Sequence, residues 1–265
     1  MDFMTIASGS SGNCTFIGSD KTSILIDAGI SKKKIGEGLN RIGIDFKDIS
    51  GILITHEHID HTRALGVISR AYSIPIYATL DTCKFIAGMK QLGEFDKSLL
   101  VPINPDIEFS IGNLTIEAHS IWHDAVDPVC YSVFHDNKKI SVATDMGDYD
   151  DYIINKIKDS DALLIEANHD IRMLQAGPYP YQLKQRILGK RGHLSNEAGG
   201  RLLNKILNDH TKVAFIGHLS NENNYPDLAY EAVSLELKDN PFINDINEFN
   251  LQVAARDDCS DLYNI

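Results

Sequence analysis

Apolar and polar residues follow two periods along this chain, one typical of β-strands and the other of amphipathic helices. A hairpin that turns at 135–139 is predicted within 130–145, because two apolar runs flank a polar turn there. Other short apolar runs bounded by turn-forming residues predict strands at 4–7, 14–18, 23–29, 51–55, 74–79, 113–121, 161–168, 212–220 and 249–257. The chain is therefore expected to be rich in short strands.

Apolar residues spaced three and four positions apart predict helices between several of these strands. One such stripe follows Ser31, whose hydroxyl suits the N-cap position of a helix. Ser195 is a second candidate N-cap, and Pro226 suits the first turn of the last helix because no N–H is needed there. Further helices are predicted near 64–71, 80–92, 150–158, 194–208 and 226–237.

The strands and helices divide into two similar series without a low-complexity linker between them. Each series begins with strands and continues with alternating strands and helices. This arrangement predicts an α/β protein in which two halves pack into one core, with sheets inside and helices outside. We therefore expect residues 1–265 to form a single domain.

Composition and charge narrow the class of protein. Hydrophobic residues make up 43% of the 265 residues and charged residues 23%, which is ordinary for a globular chain. No apolar stretch approaches the roughly 20 residues of a membrane helix, and the first residues lack the features of a signal peptide. We expect a cytoplasmic protein without membrane partners, whose four separated cysteines are reduced thiols.

The net charge of −12 argues against nonspecific binding of nucleic acid, for which a basic surface is expected. The charge is uneven, however. Between residues 171 and 196 there is no acid, and five bases occur there: Arg172, Lys184, Arg186, Lys190 and Arg191. This basic segment can pair with phosphates, or it can be an ordinary solvated loop.

The segment "THEHIDHT", residues 55–62, directly follows an apolar run. His56 and His58 are two residues apart, so at the end of an extended strand their side chains point the same way and can reach one ion. Asp60 and His61 follow as the chain turns toward a helix, and they can address a second ion. Imidazole and carboxylate suit borderline metals such as Zn²⁺. The alternative is a polar surface loop.

Three later strands each end near a residue that can bind a metal. They are His123, Asp145 and His218, which follow "LTIEAHSI", "ISVAT" and "VAFIG". Strand ends that deliver such residues to one edge predict a shared site. A carboxylate such as Asp145 is suited to bridge two cations, because each of its oxygens can bind one.

These motifs resemble the metallo-β-lactamase fold, and more narrowly the YycJ (WalJ) group of bacterial proteins. The similarity is carried by "SGSSGN", "THEHIDH", "HDAVDP", "EANHD", "GPYPYQLKQRILGKRGHLSNE" and "GHLSNENN". It covers nearly the whole chain and implies a four-layer αββα sandwich that binds two divalent ions, Zn²⁺ or Mn²⁺. It further implies that one ion is held by His56, His58 and His123, the other by Asp60, His61 and His218, with Asp145 bridging.

The resemblance also implies the chemistry. Members of the group are regarded as DNA-processing nucleases, so we expect a metal-dependent phosphodiesterase, namely a 5′→3′ DNA exonuclease that uses a water bridging the two ions. Asp60 and His193 are the expected catalytic residues, with His193 protonating the leaving oxygen. A helix-capping role is the alternative for His193. Redox members of the fold carry Glu where His58 stands, which favours hydrolysis here.

Substrate contacts are expected from two places besides the metal site. The hydroxyls and amides of "SGSSGN" can donate hydrogen bonds, although a simple hairpin turn explains the motif as well. The basic segment supplies cations, and its tyrosines can stack on bases. The expected contacts are Ser11, Asn13, His169, Tyr179, Lys184, Arg186, Lys190 and Arg191.

Two other functions remain open from the residues alone. The same site can hydrolyse a small-molecule ester, thioester or lactone, because function resides in the pocket rather than in the fold. The chain can also be a non-enzymatic regulator that retains its metal site for stability, and the resemblance implies cell-wall two-component signalling as its pathway. The oligomeric state stays open.

Overall fold

The computed structural model describes all 265 residues, and its elements follow the order that the apolar pattern predicts. The strands are β1 (Asp2–Ala7), β2 (Cys14–Gly18), β3 (Ser23–Ile26), β4 (Ile49–Leu53), β5 (Ile76–Thr79), β6 (Leu100–Ile103), β7 (Phe109–Ile111), β8 (Leu114–Ser120), β9 (Val129–His135), β10 (Lys138–Ala143), β11 (Ala162–Glu166), β12 (Val213–Gly217), β13 (Leu251–Val253) and β14 (Tyr263–Asn264). The helices are α1 (Lys32–Arg41), α2 (Ile59–Thr62), α3 (Leu65–Tyr72), α4 (Leu80–Gly88), α5 (Asp151–Ile157), α6 (Ile171–Ala176), α7 (Tyr181–Leu188), α8 (Asn196–Ile206) and α9 (Pro226–Leu237).

The strands form two seven-stranded sheets of similar topology. The first has the order β14-β1-β2-β3-β4-β5-β6 and the second the order β13-β12-β11-β10-β9-β8-β7. In each, an antiparallel meander continues into parallel strands, β3 to β6 in the first sheet and β10 to β13 in the second. Parallel strands require crossover connections, which the helices supply. The prediction of two similar halves is confirmed.

Three apolar layers separate the four layers of the sandwich. The central layer lies between the sheets and draws buried residues from both, among them Leu53 of β4 and Leu164 of β11. One outer layer packs the first sheet against its helices, including Leu39 of α1. The other packs the second sheet against its helices, including Leu203 of α8. The expected αββα sandwich is therefore confirmed.

Several local predictions are confirmed by the structure. The Ser31 hydroxyl accepts a hydrogen bond from the backbone N–H of Lys34, and Ser195 accepts one from Ala198. Pro226 is the first residue of α9. All four cysteines are free thiols. None of the helices combines the length and apolar composition needed to cross a bilayer.

Other local predictions are wrong. The helix predicted over 80–92 ends at Gly88, and a short 3-10 turn at Lys90–Leu92 replaces its last part. The basic segment is not a loop, because α6 and α7 occupy most of it. The final strand is β14, which pairs with β1. At two residues β14 is too short to produce a periodic signal, and its partner lies at the other end of the chain.

Candidate metal centre

The site lies where strands of both sheets end. Asp27, Asp145 and His218 follow β3, β10 and β12, and each has a positive φ, of 62°, 60° and 56° respectively. Non-glycine residues rarely adopt this left-handed conformation, and they do so where the surrounding structure enforces it. Three such residues at one site indicate that the fold turns each strand sharply in order to direct its side chain.

Three histidines form the first group of candidate ligands, which we call the histidine cluster. His56 Nε2 lies 3.0 Å from His58 Nδ1, and His123 Nε2 lies 3.4 Å from the same atom. His56 and His123 are buried, whereas His58 is partly exposed. Three ring nitrogens that face one another can hold a single metal ion.

The second group, the mixed cluster, contains Asp60, His61 and His218. Asp60 Oδ2 lies 3.5 Å from His61 Nε2 and 3.7 Å from His218 Nε2. Asp145 separates the two clusters. Its Oδ2 lies 3.3 Å from His61 Nε2, and its Oδ1 lies 3.4 Å from His218 Nε2 and 3.8 Å from His123 Nε2. The structure thus brings together all seven residues that the sequence nominated as ligands.

Two observations test whether these residues fit metal ions. Asp145 Oδ2 and His218 Nε2 are buried, yet neither has a hydrogen-bond partner. Buried polar atoms are nearly always paired, so an unpaired carboxylate oxygen beside an unpaired ring nitrogen suits these side chains to binding a cation. The donor atoms are imidazole nitrogen and carboxylate oxygen, which suit divalent ions. The centre therefore fits divalent metal binding.

A second set of buried groups orients the rings through their other nitrogens. Asp27 Oδ2 lies 2.8 Å from His61 Nδ1, while Asp27 Oδ1 accepts from the backbone N–H of Thr55. The Thr55 hydroxyl lies 3.0 Å from His56 Nδ1. Such partners fix the tautomer and the orientation of a ligand ring, so that its other nitrogen faces the metal.

Glu166 is the functional residue that the sequence analysis missed. Its side chain is fully buried, and Oε1 lies 3.0 Å from His218 Nδ1 and 2.8 Å from His193 Nδ1. Oε2 accepts from the backbone N–H groups of Met146 and Leu194. The sequence did contain a signal for it, because Glu166 is an acidic residue at the end of the apolar strand β11, and Asp145 lies two residues beyond the end of the apolar strand β10. The same rule that selected Asp145 would have selected Glu166.

His193 lies beside both clusters with its ring partly exposed. Its ring centroid is 5.1 Å from that of His123 and 5.3 Å from that of His218. Glu166 binds Nδ1, so Nε2 is the nitrogen left for another partner. His193 precedes the N-cap of α8 by two residues, and its side chain does not cap that helix. Its ring is therefore available to a bound molecule.

The buried charges of the centre perturb one another strongly. Burial alone would lower the pKa of His218, but Asp145, Asp60 and Glu166 raise it to about 10. Burial likewise opposes protonation of His61, whose pKa Asp27 and Asp145 hold well above its usual value. Without a cation, the carboxylates therefore retain protons on these two rings. A metal ion must displace those protons to bind.

Two side chains of the glycine-rich loop "SGSSGN" support the candidate ligands from inside the protein. Asn13 is buried, and its Nδ2 lies 3.1 Å from both Gly9 O and His61 Nε2. The Ser8 hydroxyl accepts from the backbone N–H of His218. Ser11 and Asn13 are the two residues of this loop that were expected to contact the substrate, and of these only Ser11 is exposed. The expectation that Asn13 faces the substrate is not met, because its amide is used inside the protein.

His169 and Tyr179 differ in accessibility. His169 is buried, and burial lowers its pKa to about 4, so it is a neutral ring. Its Nδ1 lies 3.4 Å from Asn168 Oδ1, and its Nε2 has no partner. Tyr179 is half-buried in the connection between α6 and α7. His169 is thus too enclosed to meet a substrate directly.

Four of the five cations of the basic segment divide into two pairs, and the fifth, Arg172, is an exposed residue of α6. Lys184 donates to Gln175 O and Gly177 O at the end of α6, and Arg186 forms an ion pair with Asp124. These two therefore hold the segment together. Lys190 and Arg191 lie in the loop after α7, and both are exposed; Lys190 lies 3.7 Å from Asp148 and also approaches the ring of Trp122. The second pair remains accessible to an anion.

Comparisons with known proteins agree with this geometry. A family model described as a beta-lactamase superfamily domain matches residues 22–216. The chain is 40% identical over 228 residues to Exodeoxyribonuclease WalJ of Streptococcus pneumoniae serotype 2, covering 86% of this chain and 85% of the relative. It is 35% identical over 242 residues to Exodeoxyribonuclease YycJ of Bacillus anthracis, covering 91% of each. The metallo-β-lactamase fold protein YhfI of Bacillus subtilis superimposes with a TM-score of 0.72 at 16% identity, over 99% of this chain and 98% of that one, and supports the fold alone.

Proposed function

Because the chain belongs to the β-lactamase superfamily, we propose that it is a metal-dependent exodeoxyribonuclease, which degrades DNA in the 5′→3′ direction. The observation that carries the proposal is the position of Asp145, a buried carboxylate with an unpaired oxygen, between the histidine cluster and the mixed cluster. The names of the two curated relatives supply the substrate class.

The metal requirement follows from the ligand set. His56, His58 and His123 would hold one divalent ion, and Asp60, His61 and His218 would hold another, with Asp145 shared between them. Zn²⁺ suits this mixture of imidazole and carboxylate, and Mn²⁺ accepts the same donors. When bound, such a pair of ions supplies a water of lowered pKa and positive charge that stabilises a phosphodiester as it reacts.

The remaining steps belong to side chains of this protein. Glu166 holds His193 through Nδ1, so Nε2 can carry a proton toward the departing sugar oxygen. General-acid catalysis of this kind contributes roughly 10²–10⁴-fold to a rate. Asp60 keeps 21% of its side chain exposed, whereas Asp145 keeps 2%. Asp60 therefore lies on the side of the centre from which a substrate enters.

The charge around the centre favours an anionic polymer over a neutral small molecule. Lys190 and Arg191 are exposed in a loop that leads directly into His193. Paired with phosphates, they would position the strand without selecting a sequence. Neither a small-molecule hydrolase nor a non-enzymatic regulator is favoured, since both curated relatives carry the name of a DNA-degrading enzyme. The proposed activity agrees with the cytoplasmic location expected from the sequence.

The test uses purified, metal-loaded protein and DNA labelled at either its 5′ or its 3′ end, with RNA of the same sequence and a thioester as competing substrates. We expect DNA to be shortened from its 5′ end. His58→Ala and Asp145→Asn should abolish cleavage while folding is retained, and His210→Ala, which alters an exposed histidine, should leave it unchanged. Intact DNA alongside a hydrolysed thioester would refute the proposal.

A further inference from the structure

A cavity of about 420 Å³ adjoins the metal centre, and the proposed chemistry does not use it. Small-molecule sites typically measure about 300–1,000 Å³, so this one has room for a nucleotide. His123 forms the wall that it shares with the histidine cluster. The rest of the wall includes Trp122, Val126, Asp127, Lys190 and Arg191.

The cavity exposes apolar surface from a segment that is firmly held. Trp122 is 43% exposed and Val126 is 49% exposed, in the connection between β8 and β9. Val126 N donates to buried Glu57, and the Trp122 carbonyl accepts from Gly147 N at 2.9 Å. Large exposed apolar groups on a rigid segment beside a reactive centre indicate a binding surface.

The opposite wall is fixed to the same segment. His123 Nδ1 lies 3.0 Å from the Gly192 carbonyl, directly after Lys190 and Arg191. Gly147, which donates to Trp122, also packs against the other wall: a Cβ there would lie 2.4 Å from Gly192 N, so this close approach requires glycine. The Arg186–Asp124 ion pair joins the walls a third time. The cavity is therefore formed before any ligand arrives.

The cavity combines an aromatic face with a positive rim. The ammonium of Lys190 lies 5.5 Å from the centroid of the Trp122 ring. The lining carries two cations, Lys190 and Arg191, and one acid, Asp127, while Asp148 lies outside the lining at 3.7 Å from Lys190. An aromatic ring beside cations matches the two parts of a nucleotide, since the base stacks on the ring and the phosphate pairs with the cations.

We propose that this cavity is a nucleotide subsite, in which Trp122 stacks on an unpaired base of the DNA strand whose backbone reacts at the metal centre. The inference rests on the proposed nuclease function, and it adds that the substrate is engaged as a single strand next to the reacting phosphate. Stacking does not discriminate strongly among bases, so the subsite would tolerate any sequence.

Trp122 is the only tryptophan of the chain, so its fluorescence reports directly on the cavity. Metal-loaded wild-type protein is titrated with a cleavage-resistant phosphorothioate oligothymidylate, and in parallel with an abasic strand of equal length. Anisotropy of a label on each strand measures binding independently. We expect the thymidylate strand to quench the fluorescence and the abasic strand to bind more weakly without comparable quenching.

Kinetics on single-stranded DNA complete the test. Trp122→Ala should raise KM by roughly 5- to 150-fold, as expected for loss of one stacked base, while kcat changes less. Trp122→Phe should restore KM to within roughly threefold of the wild-type value, because a ring remains. Phe242→Ala removes another half-exposed aromatic residue and should have no effect.

The outcomes separate the subsite from the nuclease function. If Trp122→Ala cleaves DNA efficiently with an unchanged KM, the subsite is overturned and the nuclease function stands. The same holds if the wild type binds the strand without quenching of its fluorescence. Trp122 would then be free to contact a protein partner. Absence of cleavage by the wild type would overturn the nuclease function. In that case the quenching titration would still decide whether the cavity binds a nucleotide.

Discussion

At the scale of single residues, two buried carboxylates hold the histidine rings of the candidate metal centre. Asp27 and Glu166 are both buried, and each lies beside Nδ1 of a ligand histidine, His61 and His218 respectively. Glu166 also holds His193. One carboxylate thus contacts both a candidate ligand and the proposed proton donor, and we propose that it couples metal binding to proton transfer.

Glu166→Gln tests this coupling. The amide keeps the shape of the side chain but loses the charge that holds two rings, so metal affinity and kcat should each fall by roughly 10–100-fold. Competition with a chelating indicator measures the affinity, and DNA cleavage measures kcat. Glu236→Gln is a matched control, because Glu236 lies on α9, is paired with Arg201 and belongs to none of the groups that could hold a metal. Wild-type values for Glu166→Gln would contradict the assignment.

Metal binding should depend on pH with a definite sign. In the metal-free protein His218 has a pKa of about 10 and the pKa of His61 is also raised, so both rings are protonated at pH 7. Both protons must leave when metal binds, and apparent affinity should therefore rise with pH, by about tenfold per unit for each proton released. Calorimetry in buffers of different ionisation enthalpy counts the protons. Binding near pH 7 without proton release would contradict this prediction.

At the scale of elements, two cations of α7, Lys184 and Arg186, fix that helix to neighbouring segments. Lys184 satisfies carbonyl groups at the end of α6, as basic side chains often do at helix C-termini. Arg186 joins α7 to the segment after β8. We therefore propose that Lys190 and Arg191 pair with phosphates, because both are accessible in the loop that follows α7.

Salt dependence distinguishes the two pairs of cations. Neutralising Lys190 and Arg191 together should weaken DNA binding and reduce the slope of log affinity against log salt by about one for each phosphate that is no longer paired with a cation. Lys184→Ala should leave the slope unchanged, and it serves as the control for loss of positive charge in the segment. Fluorescence anisotropy at several salt concentrations gives the slopes. Equal changes of slope in both variants would contradict the assignment of Lys190 and Arg191, and not Lys184, to phosphate binding.

The sequence predicted those parts of the site that local geometry determines. His56 and His58 follow a strand two residues apart, so their common direction was evident from the period of the strand. His123, Asp145 and His218 were identifiable because each is a residue able to bind a metal that follows an apolar strand. All of these residues meet at one edge of the fold, as the parallel strands of both halves require.

What the sequence did not predict depends on contacts between distant segments. Asn13 is polar and lies in a glycine-rich loop, yet its amide is turned inward toward His61. Lys184 and Arg186 looked equivalent to Lys190 until their partners were known. Such pairings arise from tertiary packing, so neither the hydrophobic periodicity nor any local motif of the sequence predicts them.

At the scale of the whole molecule, the two halves share their central apolar layer. Leu53 from the first sheet and Leu164 from the second belong to the same buried cluster. The metal centre likewise draws its ligands from both halves. We propose on this basis that residues 1–265 fold as one unit, since neither half can bury its inner face without the other.

Leu53→Ala tests the unity of the fold. Removal of a fully buried leucine should lower the free energy of unfolding by about 2–5 kcal/mol. Because both halves share the central apolar layer, this loss of stability should shift a single cooperative unfolding transition. Urea unfolding followed by circular dichroism measures that transition. Two transitions of which only one moves would show that the halves unfold separately. Leu235→Ala, at a 72% exposed position on α9, should leave the transition unchanged.

The proposed function requires that seven side chains hold two divalent ions, and anomalous scattering from crystals of the metal-loaded protein would locate those ions. We expect two peaks, each about 2.0–2.2 Å from its ligands. One should adjoin His56 Nε2, His58 Nδ1 and His123 Nε2, the other should lie in the mixed cluster, and Asp145 should contact both. A single peak between Glu166 and His193, or no peak at either cluster, would contradict this arrangement.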